Sequence, residues 1–380
     1  MAAWKYTLAE PDLSELEESA VRDCVRSGWL SMGEKTKELE ERFAQMHGVR
    51  HAMAVSNGTA ALHLALVALD VGGRAEDEVI QPSMNFVASA NMTKAVGARP
   101  VFSDILSLAE PTIDPADVAR RITGNTRAII VMHYGGYSVR LKEIMDIASA
   151  RGVPIIEDAC HAPAQPSGEY PGRYLGTIGK VGCFSFFSNK NMTCGEGGMV
   201  VTNDDELAAR IRSFRSHGMT TLSWDRHHGR ASSYDVIAHG FNYRIDDLRA
   251  SMALVQLGKL EAGNNRRREL AAAYADAVEK YGRGRIQFVN GGKPTAGTAH
   301  IATVLVAASR RDDVRRRLQD SGIQTSLHYP PVHKFSAFAG YCTEALPKTE
   351  EYSDRVITLP LHVRLPIGAT DEIVKLMASV

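Results

Sequence analysis

Net charge is the first thing missing from this 380-residue sequence: Lys plus Arg and Asp plus Glu both total 44. Without an overall field of one sign, charge alone recruits neither nucleic acid nor an anionic membrane. Also missing is an apolar run long enough to cross a bilayer, and the start MAAWKYTLAEPDLSELEESAVRD lacks the charged-then-apolar layout of a secretory signal. These absences lead us to expect a cytoplasmic protein with no nucleic-acid or membrane partner. Cysteines are few and scattered: Cys24, Cys160, Cys183, Cys194 and Cys342 are odd in number and include no CxxC pair. That pattern argues for reduced thiols over a disulfide framework or a zinc site. Histidines number 13, but His227 and His228 are adjacent and no HExxH spacing accompanies them, so no metal is expected. The runs Arg266–Arg268 and Arg315–Arg317 fall in helix-like stretches and read as solvated helix faces.

What is present is alternation. From about residue 50, strand-like runs (HAMAVS, DEVIQPS, RPVFSDI, RAIIVMH, VPIIEDA) alternate with helix-like ones (GTAALHLALVAL, NFVASANMTKAVG, LKEIMDIASARG). Strict alternation implies βαβ units around a mostly parallel, buried sheet, hence an α/β core. CFSFF and GGMVVTND add buried strands. A long helical stretch follows from DLRASMALVQLGKLEAGN to ADAVEKYG, then a smaller β-α-β arrangement made of TAHIATVLVA, RRDDVRRRLQDSG and IQTSLHYPP. We expect a large domain over residues 1–255, N-terminal segment included, and a small C-terminal α/β domain over 256–380. The polar, irregular residues 219–239 form a connection of the length that is often functional.

In parallel α/β sheets ligands gather beyond the carboxyl ends of the strands, so the residues there carry most information. After AMAVS, Gly58 and Thr59 open a helix whose free amides, dipole and hydroxyl suit a phosphate, although a plain helix cap reads equally well. After VPII comes Glu157-Asp158. An acid there is either a structural ion pair or, if the ligand is a pyridine ring, the group that keeps the ring nitrogen protonated. His161, three residues on, is placed to hydrogen-bond that ring's phenolic oxygen or to be a satisfied loop histidine. Lys190 lies in SFFSNKNMTCGEGG, a run poor in charge and rich in small residues. A lysine desolvated there loses its proton readily and attacks carbonyl carbons, unlike a solvated lysine such as Lys180. Ser185 and Ser188 stand beside it as donors.

The ordered blocks SNGTAALHLAL, EDACHA, CFSFFSNKNMTCGEGGMVVTND, RSHGM, GFNYRIDDLRASMALVQLGKL and TSLHYPPVH resemble the DegT/DnrJ-type sugar aminotransferases. These are fold-type I, aspartate-aminotransferase-like enzymes that use pyridoxal 5'-phosphate (PLP). The similarity runs from about residue 10 to residue 365. It implies a mostly parallel central sheet with helices on both faces and a smaller C-terminal α/β domain. It implies that Lys190 forms a Schiff base with PLP, that Asp158 and His161 address the ring nitrogen and phenolic oxygen, and that Gly58, Thr59 and Ser185 bind the phosphate. His161 departs from the glutamine common in the family, a swap some members share. Phe86 falls where an aromatic residue stacks on the ring, and Asn242 matches a residue that reaches the phosphate across an obligate homodimer with shared active sites.

The implied reaction moves an amino group from glutamate or glutamine to a keto group of a nucleotide-linked deoxysugar or a cyclitol, passing through pyridoxamine 5'-phosphate. Candidates for reading the acceptor are His217, Arg244, His328, Tyr329 and His333, together with residues 219–239. Two rivals stand beside this reading. Sugar dehydratases of the family replace the lysine by histidine, and an idle sugar-nucleotide-binding regulator on the same fold would not need Lys190, Asp158 and the phosphate set together.

Overall fold

The computed structural model describes residues 4–221, 224, 229, 232–289, 293, 295–342 and 344–380. The segment 219–239 therefore lies partly outside the described residues, His227 and His228 with it.

Seven strands form the central sheet: β1 (His51–Val55), β2 (Glu78–Pro82), β3 (Arg99–Ser103), β4 (Thr126–Met132), β5 (Ile155–Asp158), β6 (Val181–Ser185) and β7 (Gly198–Thr202). Their order is β1-β7-β6-β5-β4-β2-β3. β7 is antiparallel to both neighbours while every other pairing is parallel, so six strands end on the same edge. The large-domain helices are α1 (Glu15–Ser27), α2 (Glu34–His47), α3 (Gly58–Ala68), α4 (Ala88–Ala95), α5 (Pro115–Arg121), α6 (Leu141–Ser149) and α7 (Asp205–Arg215); α8 (Asp247–Tyr281) follows.

Successive strand side chains point to opposite faces, and both faces are apolar here. Met53 and Val55 pack with α3 and α7, whereas Ala52 and Ala54 pack with α2 and the start of α8. Ile129, Val131 and Ile155 face α5 and α6. A sheet covered on both sides leaves only the strand ends open to a ligand. Side-chain caps fix where the helices begin: Asn57 for α3, Asp204 for α7 and Asp246 for α8.

The second sheet is antiparallel, with β8 (Gln287–Phe288), β9 (Ala302–Leu305) and β10 (Val356–Leu359) in the order β10-β9-β8. Around it lie α9 (Ala308–Asp320), α10 (Pro347–Arg355) and α11 (Ala369–Ala378). The expected strand in IQTSLHYPP does not form. Ile323 and Ser326 make only isolated bridges, to Tyr6 and Thr358, and the place beside β9 belongs to β10. Pro330 and Pro331 have no N–H to give a ladder, and the chain leaves the sheet here toward the large-domain strand ends.

α8 serves both sheets. Its early residues Ala250, Ala253 and Leu257 pack beneath the large sheet, and Leu270, Tyr274 and Ala277 pack against the small one. The solvated face expected for Arg266–Arg268 is corrected at Arg267, which is buried and donates to the Leu361 carbonyl at 2.9 Å. The inward face of a helix shared by two layers has no outlet to water, and burial pushes this guanidinium down to about 10. Arg364 ties the start of the chain down, donating to the Leu13 carbonyl at 2.6 Å.

α1 is held on α8 by Glu17. This carboxylate is 2 % exposed, accepts from Gln256 at 2.7 Å and pairs with Lys259 at 2.6 Å. Burial alone would raise its pKa, but Lys259, Gln256 and Ser14 outweigh it and hold it at about 2. Because the folded value lies below the unfolded one, the stabilisation is complete above the unfolded value of about 4.3 and is lost as pH falls through about 2. Glu17→Gln should cost about 1–3 kcal/mol at neutral pH, read from urea midpoints, with the gap to wild type narrowing between about pH 5 and about pH 2.

Candidate active site

A cavity of about 620 Å³ opens where the carboxyl ends of β1, β5 and β6 meet the chain returning from the small sheet. The two acids that close β5 are separated by strand alternation. Glu157 points to the α5/α6 side, where it accepts from the Gly176 and Ile178 amides at 2.8 and 2.6 Å and meets His133 Nε2 at 2.9 Å. Burial would raise its pKa, but His133 and these backbone amides hold it below the usual range. Asp158 points the other way, onto the cavity wall, and is 6 % exposed. It accepts from the Cys160 amide at 3.2 Å, and no Lys or Arg pairs with it among the described residues. The structural reading of the Glu-Asp pair is thus met by Glu157, while Asp158 faces the cavity.

Lys190 lies in the turn between β6 and β7 and lines the same cavity. Burial pushes its pKa down, against the opposing influence of Cys160 and Asp158, and its Nζ has no hydrogen bond or ion pair among the described residues. Lys180 is its contrast, exposed at the surface and paired with Asp204 at 2.7 Å.

Gly58 and Thr59 begin α3 at the wall, with the Asn57 side chain accepting from the Ala60 amide at 2.8 Å. The amides of Gly58 and Thr59 have no partner inside the helix and face the end where an anion is favoured. A Cβ on Gly58 would lie 2.8 Å from Ser185 Cβ, so only glycine lets α3 and β6 approach this closely. Ser185 also lines the cavity. Phe86 stands at its mouth, 58 % exposed, with its ring centroid 6.3 Å from that of Tyr329.

His161 is buried with both nitrogens engaged: Nδ1 accepts from the Gly135 amide at 3.2 Å, and Nε2 lies 3.0 Å from the Tyr329 hydroxyl. Burial, then Lys190, pushes its pKa well below the ordinary value. His328 and Tyr329 also reach the wall. His328 meets Thr358 Oγ1 at 3.0 Å, and burial together with Lys190 pushes it down to about 4.

Five expected residues are not on this wall. His333 is corrected to a buried structural role, with Ser83 Oγ at 2.6 Å and Glu350 at 3.3 Å taking its two nitrogens. His217 is exposed with a φ of 64°, and Asn242 is exposed and bridged to Ser216. Arg244 is half-buried beside Arg215, and burial and that neighbour lower its pKa. Ser188, also exposed, donates to the Gly195 carbonyl. The sequence reading missed Asn85, Cys160, Asn189 and Tyr243 on the wall, and His300, whose ring centroid is 4.1 Å from that of His161. Cys160 had a usable signal, lying between Asp158 and His161, and Asn189 and Tyr243 adjoin expected residues. His300 had none, because it follows no strand of the large sheet.

A free amine, an unpaired carboxylate and an anion-seeking helix end thus face one cavity, an arrangement that suits carbonyl chemistry on a phosphorylated, nitrogen-containing ring. A family model of the DegT/DnrJ/EryC1/StrS aminotransferases matches residues 11–378. The chain belongs to that family. It is a PLP-dependent aminotransferase. The aminotransferase TlmJ from Streptoalloteichus hindustanus is similar at 34 % identity and a TM-score of 0.90, with 98 % of each chain covered. Spr1654 from Streptococcus pneumoniae, described as a sugar aminotransferase and solved in a PLP form, is similar at 27 % identity and a TM-score of 0.89, covering 98 % of this chain and 97 % of that one. DesI, solved in the presence of its TDP-sugar product, is similar at 27 % identity and a TM-score of 0.86, covering all of this chain and 93 % of that one.

In this aminotransferase the burial of Lys190 makes a reactivity difference measurable without coenzyme. In apo-protein, modification of Lys190 by an amine-directed reagent should follow a pH midpoint below that of a surface lysine such as Lys142, whose pKa the Asp146 carboxylate raises. Peptide mapping of modification rates across pH reads both sites in one sample, and coincident midpoints would contradict the burial argument.

Proposed function

We propose that the enzyme transfers an amino group from glutamate or glutamine to a keto carbon of a nucleotide-linked deoxysugar or a related cyclitol. The observation that carries this reading is the presence, on one cavity wall, of a Lys190 amine and an Asp158 carboxylate that have no ion-pair partner among the described residues. The solved relatives named above, one described as a sugar aminotransferase and one solved in the presence of its TDP-sugar product, support the acceptor class.

The site fits PLP on its own geometry. Gly58 leaves a cradle that a Cβ would fill, the first-turn amides of α3 suit a phosphate, and Asp158 suits a protonated ring nitrogen. Bound there, the coenzyme supplies an aldehyde that condenses with amines and a ring that delocalises the electron pair left on the donor's α-carbon. Gly58, Thr59 and Ser185 hold the phosphate, and Asp158 keeps the proton on the ring nitrogen. Phe86 covers one face of the ring. Lys190, its amine biased toward the neutral form by burial, would take up the proton that leaves the α-carbon and return it on the other side of the exchange.

Asn242 is exposed and off its own chain's cavity, which suits a contact with the phosphate held by a second copy in a homodimer. Residues 256–380 act as the smaller domain that brings His328 and Tyr329 to the cavity. His328 reads the acceptor, and His217, Arg244 and the 219–239 stretch extend that role beyond the wall.

Borohydride reduction of the PLP-loaded protein followed by peptide mapping should place the coenzyme's mass on the peptide carrying Lys190. Lys190→Ala should keep the melting transition yet lose transamination by about a thousandfold or more, the range of a removed acid–base group or nucleophile. A coenzyme adduct on another lysine, or unchanged turnover in the variant, would overturn the mechanism. Conversion of the bound coenzyme to its amine form by glutamate or glutamine, and back by candidate keto sugars and cyclitols, then identifies the substrates.

A further inference from the structure

The ring of His161 is held by a turn that follows β4. In that turn, Tyr134–Gly136, Gly135 has a φ of 65° and Gly136 a φ of 88°, and a Cβ on Gly136 would run into Thr298 and the His161 carbonyl. Thr298 Oγ1 donates to that carbonyl at 2.5 Å, and the His300 amide donates to the Gly135 carbonyl at 2.9 Å. His161 is therefore clamped from both the large and the small sheets.

The clamp fixes where its protons are. A backbone amide can only donate, so Nδ1, 3.2 Å from the Gly135 nitrogen, carries a lone pair. In the neutral ring the proton is then on Nε2, which donates to the Tyr329 oxygen at 3.0 Å. Neither ring nitrogen has a direction left for the cavity. Tyr329, in contrast, accepts from His161 and keeps its own O–H proton to give, at the wall that holds Lys190 and Asp158.

We infer that the hydrogen bond to the phenolic oxygen of bound PLP comes from the Tyr329 hydroxyl, with His161 serving as the positioning residue that orients it. This rests on the proposal that PLP occupies this cavity. Burial, with Asp158 and Cys160 nearby, keeps Tyr329 protonated and hence a donor across the working pH range. Among the described residues, Lys190, His300, His328 and Tyr134 also face the pair; burial lowers the ordinary value of the first three and raises that of Tyr134, so at neutral pH the histidines and Tyr134 bring no competing charge. A donor at the phenolic oxygen draws electron density from the conjugated ring, which makes the nitrogen joining Lys190 to the coenzyme less basic.

The test reads the bound coenzyme's visible absorption against pH in the PLP-loaded protein, with PLP dissociation measured alongside. In Tyr329→Phe the pH midpoint of the absorption change should rise by about one to two units, as for loss of a hydrogen bond to a charged acceptor. PLP retention should fall, and far-ultraviolet circular dichroism should be unchanged. His161→Phe should give the same shift in smaller degree, and the double variant should go no further than Tyr329→Phe. An unmoved midpoint in Tyr329→Phe overturns the inference while leaving the PLP site intact, as does a double variant whose shift is the sum of the two. Wild-type protein that takes up no PLP overturns both.

Discussion

Desolvation of a single amine is the constraint on which the rest depends. Lys190 is held in the turn between β6 and β7, where burial lowers its pKa, and among the described residues no carboxylate pairs with it to favour its charged form. Had Asp158 been closer, the pair would settle as a buried ion pair, and the attraction would favour the charged amine. The acid and the amine instead line one cavity without forming an ion pair among the described residues. The same burial keeps His161, His300 and His328 neutral, so the wall holds donors and acceptors without fixed positive charge.

The fold supplies this spacing through strand alternation. β5 ends in two acids on opposite faces, one anchoring the loop after it and the other lining the cavity. Glu157 gathers three backbone amides and His133 on one side of the sheet, which stiffens the strand end. Asp158 on the other side inherits that rigidity without sharing its partners. Gly58 does the equivalent work across the cavity, since its missing side chain is what lets the start of α3 lie against Ser185.

Much of this was legible in the residues. The βαβ alternation from residue 50 onward follows from apolar periodicity, and the strand-end residues Gly58, Asp158, Ser185 and Lys190 follow from where parallel sheets bind ligands. The failures share one cause, long-range packing that local pattern does not encode. Arg267 sits in a charged run yet turns inward because α8 is sandwiched between two sheets. IQTSLHYPP has strand-like composition but loses its place to β10, which arrives more than thirty residues later. His333 resembles a ligand-reading histidine until Ser83 and Glu350, distant in the chain, are found to occupy both its nitrogens.

Histidine shows most clearly why residue type underdetermines role. His161, His300 and His333 are all buried, and each has its hydrogen bonds set by partners that only the folded chain assembles: a glycine amide, Asn191, and a serine with a glutamate. An imidazole offers one donor and one acceptor when neutral, so once a backbone amide claims one nitrogen the tautomer and the direction of the remaining proton are decided. Where that proton points at another hydroxyl, the capacity to donate passes along to it. The turn at Gly135 and Gly136, remote from any ligand-reading motif, therefore governs which group at the cavity wall has a proton to offer.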